Sequence, residues 1–286
     1  TPTPPPPILS GLVGSEMCIR DSHLTIASVQ MFATTKQETN LKTMEEYLIH
    51  INTTFPKIDL VIFPELSSMS IGRKMAKQAQ TIPGELTDIF SGWAKKYGVW
   101  LIPGSMYESS DNNIFNSTPV FSSKGKLMGN YRKRYPWRPY EKTTPGKEPF
   151  VFSIDGMGTI GIMICYDIWF PEVARDLVHL GAELIIVPTM TTTGDRKQEQ
   201  IIAQATAITQ QCYVVSCNGV GYGGVGGSQV IDPEGVLLQD NGEGACMQTA
   251  IIDFDRVRTI RETGIAGVTT PLKTFQENSQ SFAVYK

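Results

Sequence analysis

The stretch GIMICYDIWFPEVAR, residues 161–175, constrains this chain more than any other. The apolar run 160–164 predicts a buried strand that stops at Cys165. Residues 166–170 turn the chain, and Pro171 opens an amphipathic segment, PEVARDLVHL, that ends at Gly181. Proline just inside the start and glycine just past the end punctuate a helix. Cys165 therefore falls at a strand-to-helix corner, the place where open α/β sheets present reactive groups. Backbone dipoles at a helix start favour the thiolate, so a lowered thiol pKa is expected there. The competing reading is a plain core cysteine, since free cysteine is among the most buried residue types.

The rest of the chain alternates strands and helices. LTIASVQM (24–31) reads as a strand, and Leu41, Met44, Leu48 and Ile51 recur at helical spacing. IDLVIFPE is a buried strand ending at Glu65, residues 86–97 a helix, and GVWLIPGSMYE (98–108) one strand. A hairpin over 115–131 turns at 123–125. After the strand at 160–165 and the helix at 171–180, the second half repeats the order. It continues with ELIIVPT, a helix over 196–211, CYVVSCN and a hairpin on the Asp-Pro-Glu-Gly turn at 232–235. MQTAIIDFD adds a strand, 255–262 a short helix, and the remaining tail is polar. Two βαβαββ halves can pack sheet against sheet with helices outside, which predicts an α/β fold of four layers, an α-β-β-α sandwich. Runs such as LVIF and LIIV do not alternate, as befits strands buried on both faces.

Composition narrows the setting. Apolar residues make up 41% of 286, enough for a large core, and a formal charge of −3 gives no electrostatic case for nucleic acid or anionic membrane. No apolar run approaches a membrane span. Five cysteines form neither a disulfide framework nor a zinc pattern, so a reducing, cytoplasmic setting is expected. Residues 1–22 carry a proline run and no initial methionine, and VGSEMCIRDS resembles a translated sequencing-adapter artefact. They are read as a non-native or disordered tail, and 23–286 as one domain.

Three residues join Cys165 as candidates: Glu65 in FPE, Lys133 in NYRKRYPW and Glu141 in RPYEKTTPG. Each alone reads as a solvated loop or charge-run residue. Together the motifs FPE (63–65), YRK (131–133) and CYDIWFPE (165–172) resemble the nitrilase superfamily of carbon–nitrogen hydrolases, over about residues 24–275. The resemblance implies a nucleophile at Cys165, a general base at Glu65 and a cationic catalytic lysine at Lys133. Glu141, in the PWxPxE context of the amidase branch, takes a second carboxylate role. It also implies the α-β-β-α sandwich, a homodimer or larger homo-oligomer, and no cofactor or metal.

The chemistry suits these residue types. An amide carbon is a poor electrophile, so thiolate attack divides hydrolysis into two easier steps. A carboxylate can shuttle the proton to the departing amine and then activate water. Lys133 and a backbone N–H after the cysteine can hold the oxyanion. Glu141 can accept from the substrate's NH₂, a bond that a nitrile cannot offer. Trp137, Tyr140, Tyr166, Trp169 and Met190 are the expected apolar walls.

Nitrile-cleaving members tend to have Trp-Glu after the cysteine and carbamoyl-cleaving members Asn-Asp-Arg-Arg, whereas this chain has Tyr-Asp-Ile-Trp. The best match is the branch of small aliphatic amidases and formamidases, although TMTTTGDR after Pro188 lacks the aromatic residues of a close formamidase. The reading is therefore hydrolysis of a small amide to an acid and ammonia through a cysteine thioester. The alternatives are nitrile or N-carbamoyl cleavage, or an inactive member serving as a binding or assembly module. The GxGxxG at 219–224 precedes a hairpin rather than a helix and so does not read as a dinucleotide site. His50 and His179 lie on predicted helices, which disfavours a cysteine–histidine enzyme.

Overall fold

The computed structural model describes residues 22–55 and 57–278. Alternation of side chains along each strand sorts the apolar runs into three cores and so sets four layers. In β1 (His23–Gln30), Leu24 and Ile26 face the opposing sheet, while Ala27 and Val29 face helices. Helix α1 (Gln37–Thr54) buries Met44, Leu48 and Ile51 on that outer face. Between β1 and α1 lies the short β2 (Phe32–Ala33). Then come β3 (Leu60–Ile62), α2 (Glu85–Tyr97), β4 (Trp100–Ile102), β5 (Met106–Ser110), β6 (Asn113–Phe121) and β7 (Leu127–Arg132).

The second half starts with a hairpin of β8 (Val151–Ile154) and β9 (Gly158–Ile162), followed by α3 (Pro171–His179) and β10 (Leu184–Thr189). It continues through α4 (Arg196–Gln210), β11 (Tyr213–Asn218), β12 (Val220–Gly221), β13 (Gln229–Ile231) and β14 (Leu237–Asp240). The chain then runs through β15 (Cys246–Asp253), α5 (Phe254–Thr263) and α6 (Pro271–Glu277). In β10, Leu184 and Ile186 point between the sheets, and Ile185 and Val187 point towards α3 and α4. The expected α-β-β-α sandwich is what forms.

One sheet has the order β15-β1-β3-β4-β6-β5, with β7 on β6, and the other β14-β13-β11-β10-β9-β8. Strands β1, β3 and β4 run parallel, as do β9, β10 and β11. Both sets deliver their carboxyl ends to one side of the sandwich.

Several details differ from the sequence reading. The expected single strand 98–108 is two, because Gly104 between them has φ +79 and approaches Pro64 too closely for any side chain. Its ideal Cβ would lie 1.8 Å from the Pro64 carbonyl oxygen, so glycine alone lets this loop press on the FPE segment. The strand expected to reach Cys165 ends at Ile162. Strand β15 pairs antiparallel with β1, so a strand from the second half completes the first half's sheet. The tail expected to be merely polar contains α6, whose Leu272 packs on the α3–α4 layer. Residues 219–224 hold β12, paired with β2, and the next element is the strand β13 rather than a helix. The tail reading falls on residues 1–21, which lie outside the described residues. Ser22, grouped with it, is buried, and its hydroxyl donates to Asp255 at 2.6 Å. Among the described residues, no helix is long and apolar enough to cross a membrane.

Candidate active site

Glu65 follows β3 at the sheet's carboxyl edge. Leu66 after it adopts φ +53, a left-handed conformation costly for a branched side chain, and its N–H is held by Ser105 Oγ at 3.2 Å. Lys133 continues from β7, tied by its N–H to the Asn116 carbonyl at 2.8 Å. The basic run 132–134 is not a solvated patch. Arg132 pairs with Glu108, Arg134 with Asp176, and Lys133 with two carboxylates. Lys133 is 2% exposed, and its Nζ lies 2.9 Å from Glu65 Oε1 and 2.8 Å from Glu141 Oε2.

Glu141 reaches this point from a turn closed by its own N–H on the Trp137 carbonyl at 2.8 Å. The Trp137 N–H returns a bond to Glu141 Oε2 at 3.0 Å, and Thr143 donates to Oε1 at 3.0 Å. Asn116, on β6, donates one Nδ2 to both Glu65 Oε1 (2.8 Å) and Glu141 Oε1 (2.9 Å). The sequence reading missed it. Nothing in the residues around Asn116 marks it, and its 1% exposure places it in the interior.

Cys165 opens a 3₁₀ turn, Cys165–Trp169, with φ +47. Asp167 fixes that turn: its carboxylate accepts the N–H groups of Ile164 (3.0 Å) and Tyr135 (2.8 Å) and the Tyr131 hydroxyl (2.7 Å). One buried carboxylate thus locks the CYD turn to the YRK segment, and so the sulfur to the ammonium. Burial pushes the Asp167 carboxyl up to about 6.

The electrostatics correct one expectation. The Cys165 thiol is raised, not lowered: burial is the main cause, the Glu65 and Glu199 carboxylates add to it, and Lys133 only partly offsets them. Helix α3 starts at Pro171, too far along the chain for its dipole to act on the sulfur. Burial raises the Glu65 carboxyl despite Lys133. Burial likewise pushes on Glu141, but Lys133 and the Trp137 and Asn116 hydrogen bonds outweigh it and hold that carboxyl below its usual range. Burial opposes the Lys133 charge, yet Glu65, Cys165 and Glu141 keep the ammonium well above its ordinary pKa. Two carboxylates on one lysine are thereby driven apart, the pattern that separates a proton acceptor from a permanently ionised group.

A cavity of about 30 Å³ adjoins Cys165. Trp137, Tyr166 and Met190 line it, joined by Thr191, Thr192, Thr193, Asp195 and Glu199, so polar residues share the enclosure that the sequence led one to expect as apolar. Tyr140 is 74% exposed, packs at a tilt against Trp137 and stands outside the lining. Trp169 packs into the α3–α4 core and turns its indole N–H to Glu199 at 3.4 Å. Among the described residues, no group of three or more His, Cys, Asp or Glu side chains is placed to hold a metal ion.

The sequence profile described as carbon–nitrogen hydrolase matches residues 25–262. A deaminated glutathione amidase from Rattus norvegicus is 29% identical over 264 residues, 83% of this chain and 79% of that protein. The omega-amidase NIT2 of Danio rerio is 29% identical over 221 residues, 71% of this chain and 79% of its own. Among solved structures, Saccharomyces cerevisiae Nit3, a member of branch 10 of the nitrilase superfamily, superposes with TM-score 0.77 at 25% identity. That match covers 84% of this chain and 94% of Nit3.

Proposed function

Because the chain belongs to the carbon–nitrogen hydrolase family, of nitrilase-superfamily fold, we propose that it hydrolyses a small amide to a carboxylic acid and ammonia. The observation that carries this reading is the buried Glu65–Lys133–Glu141 cluster set against Cys165. In the proposed reaction Cys165 attacks the amide carbon as Glu65 takes its proton, which suits a thiol that rests protonated and a carboxyl raised by burial. The oxyanion forms towards Lys133 and the Tyr166 N–H, the latter near the start of a helical turn, where N–H groups lack internal partners. Glu65 passes the proton to the leaving NH₂, ammonia departs, and a thioester remains on Cys165. Water, deprotonated by Glu65, then cleaves the thioester and restores the thiol.

Glu141, held ionised, accepts from the substrate's NH₂ and orients its carbonyl. That favours amide over nitrile, which has no N–H. The two amidases with which the chain aligns support amide rather than nitrile cleavage. The test is ammonia release across formamide, acetamide, longer amides, carbamoyl compounds and nitriles, with intact-mass detection of an acyl adduct. Amide turnover through an adduct of acyl mass is expected. Turnover of nitriles alone overturns the reading.

A further inference from the structure

We propose that Thr191 and Glu199 make the acyl pocket selective for amides bearing a hydrogen-bond donor, a hydroxyl or amino group, on the carbon next to the carbonyl. The inference rests on the amidase reading and names its substrate class. Glu199 projects from α4 with 3% exposure and lines the same cavity as Cys165. Its Oε2 accepts the Thr191 hydroxyl at 2.6 Å and an Arg196 N–H at 3.2 Å. Arg196 commits its other groups to the Gly226 and Gly227 carbonyls and to Ser216, so it does not enter the pocket.

Glu199 Oε1 has one long contact, the Trp169 indole at 3.4 Å, and a carboxylate oxygen has room for about two donors. Thr191 Oγ1 lies 3.8 Å from Cys165 Sγ, so the carboxylate stands two contacts from the nucleophile. A cavity of about 30 Å³ holds about two water-sized groups. A CH₂OH or CH₂NH₃⁺ group fits that space and brings its donor to Oε1. A methyl-terminated chain of the same size offers Oε1 no donor and leaves it with the long Trp169 contact alone in a buried site, whereas a donor-bearing chain pairs it. The lining sets no cation free to receive an acidic acyl chain.

The experiment compares kcat/KM for propionamide with glycolamide and glycinamide, which replace the terminal methyl by hydroxyl and by amine. Succinamate supplies the acidic arm. A ratio of two substrates in one preparation cancels any loss of folded enzyme. The wild type is expected to favour at least one donor-bearing amide over propionamide by about tenfold or more. Glu199→Gln and Thr191→Val should each bring that ratio to within about threefold of unity. Equal rates on propionamide and both donors in the wild type, a preference for succinamate, or ratios untouched by either variant would overturn the assignment. Ammonia from none of the amides would instead overturn the amidase reading itself.

Discussion

Cys165 and Cys217 are both buried thiols near carboxyl ends of strands in one sheet, and burial raises the pKa of both. Cys217 lies within β11 with no exposed surface, its thiol pushed up to about 12. Its sulfur faces the Val29 and Ile62 carbonyls of the opposing sheet at 3.4 and 3.8 Å. Cys165 keeps 9% exposure, adopts a positive φ off the end of its strand, and meets Glu65, Lys133 and a cavity. What separates the two is not a lower resting pKa. In the proposed mechanism, Glu65 as proton acceptor and the Lys133 cation beside the sulfur supply at the moment of attack what burial withholds at rest.

The largest effect expected from this contrast is Cys165→Ala, which should lose amide turnover by on the order of 10⁴-fold or more and form no acyl adduct. Retained turnover would sink the mechanism. Lys133→Met comes next. It should lower kcat by about 10²–10³ through the oxyanion and, by leaving Glu65 and Glu141 with no cation, cost about 3–5 kcal/mol in urea unfolding. A stable and active variant would show that the cluster is ornamental. Glu141→Gln should cost about 10² in kcat on amides, since a misplaced carbonyl loses attack geometry. Alkylation of Cys165 should change little, because Glu65 and Lys133 remain.

The pH dependence sharpens the contrast further. Glu65 must be ionised to take the thiol proton, and burial raises its pKa, so the acidic limb of kcat/KM should lie above the ordinary carboxylate range. Activity should fall about tenfold per pH unit below that limb, and Glu65→Gln should abolish the activity that reports it. A limb at an ordinary glutamate pKa would remove Glu65 as the base.

Much of this was legible in the chain because hydrophobic period and punctuation act locally. Pro171 and the apolar run before Cys165 announce a corner, and 44, 48 and 51 announce a helix face. The motifs around Glu65, Lys133 and Cys165 pointed to residues that the fold gathers. What escaped depended on distance in sequence. Asn116 bridges Glu65 and Glu141 from 51 and 25 residues away, with no local signature. Asp167 stood inside a motif, but its three donors come from 131, 135 and 164. The thiol's raised pKa depends on burial among carboxylates, whereas a helix-start rule sees only the backbone. Glu199 and Thr191 sit on a helix and a loop with no motif around them, and only the packing of β10 and α4 brings them to the sulfur.

The smallest effect expected is at Cys217. Replacing it by alanine removes one buried sulfur and its contact to the Val29 carbonyl, without touching Glu65, Lys133 or Glu141. The site lies between the sheets, so the gap cannot be filled by solvent or by a surface side chain. Loss of one heavy atom's burial and one weak hydrogen bond amounts to about 1–2 kcal/mol. Urea unfolding should show that cost as a lower midpoint with an unchanged slope, since the surface exposed on unfolding stays the same. Cys217→Ser should recover part of it, because a hydroxyl can still donate to Val29. Amide turnover should stay within about twofold of the parent in both variants, as expected for a core substitution that costs folding energy only. A loss of turnover with stability intact would mean that Cys217 also governs the catalytic edge, and the two thiols would no longer stand as inert and reactive counterparts.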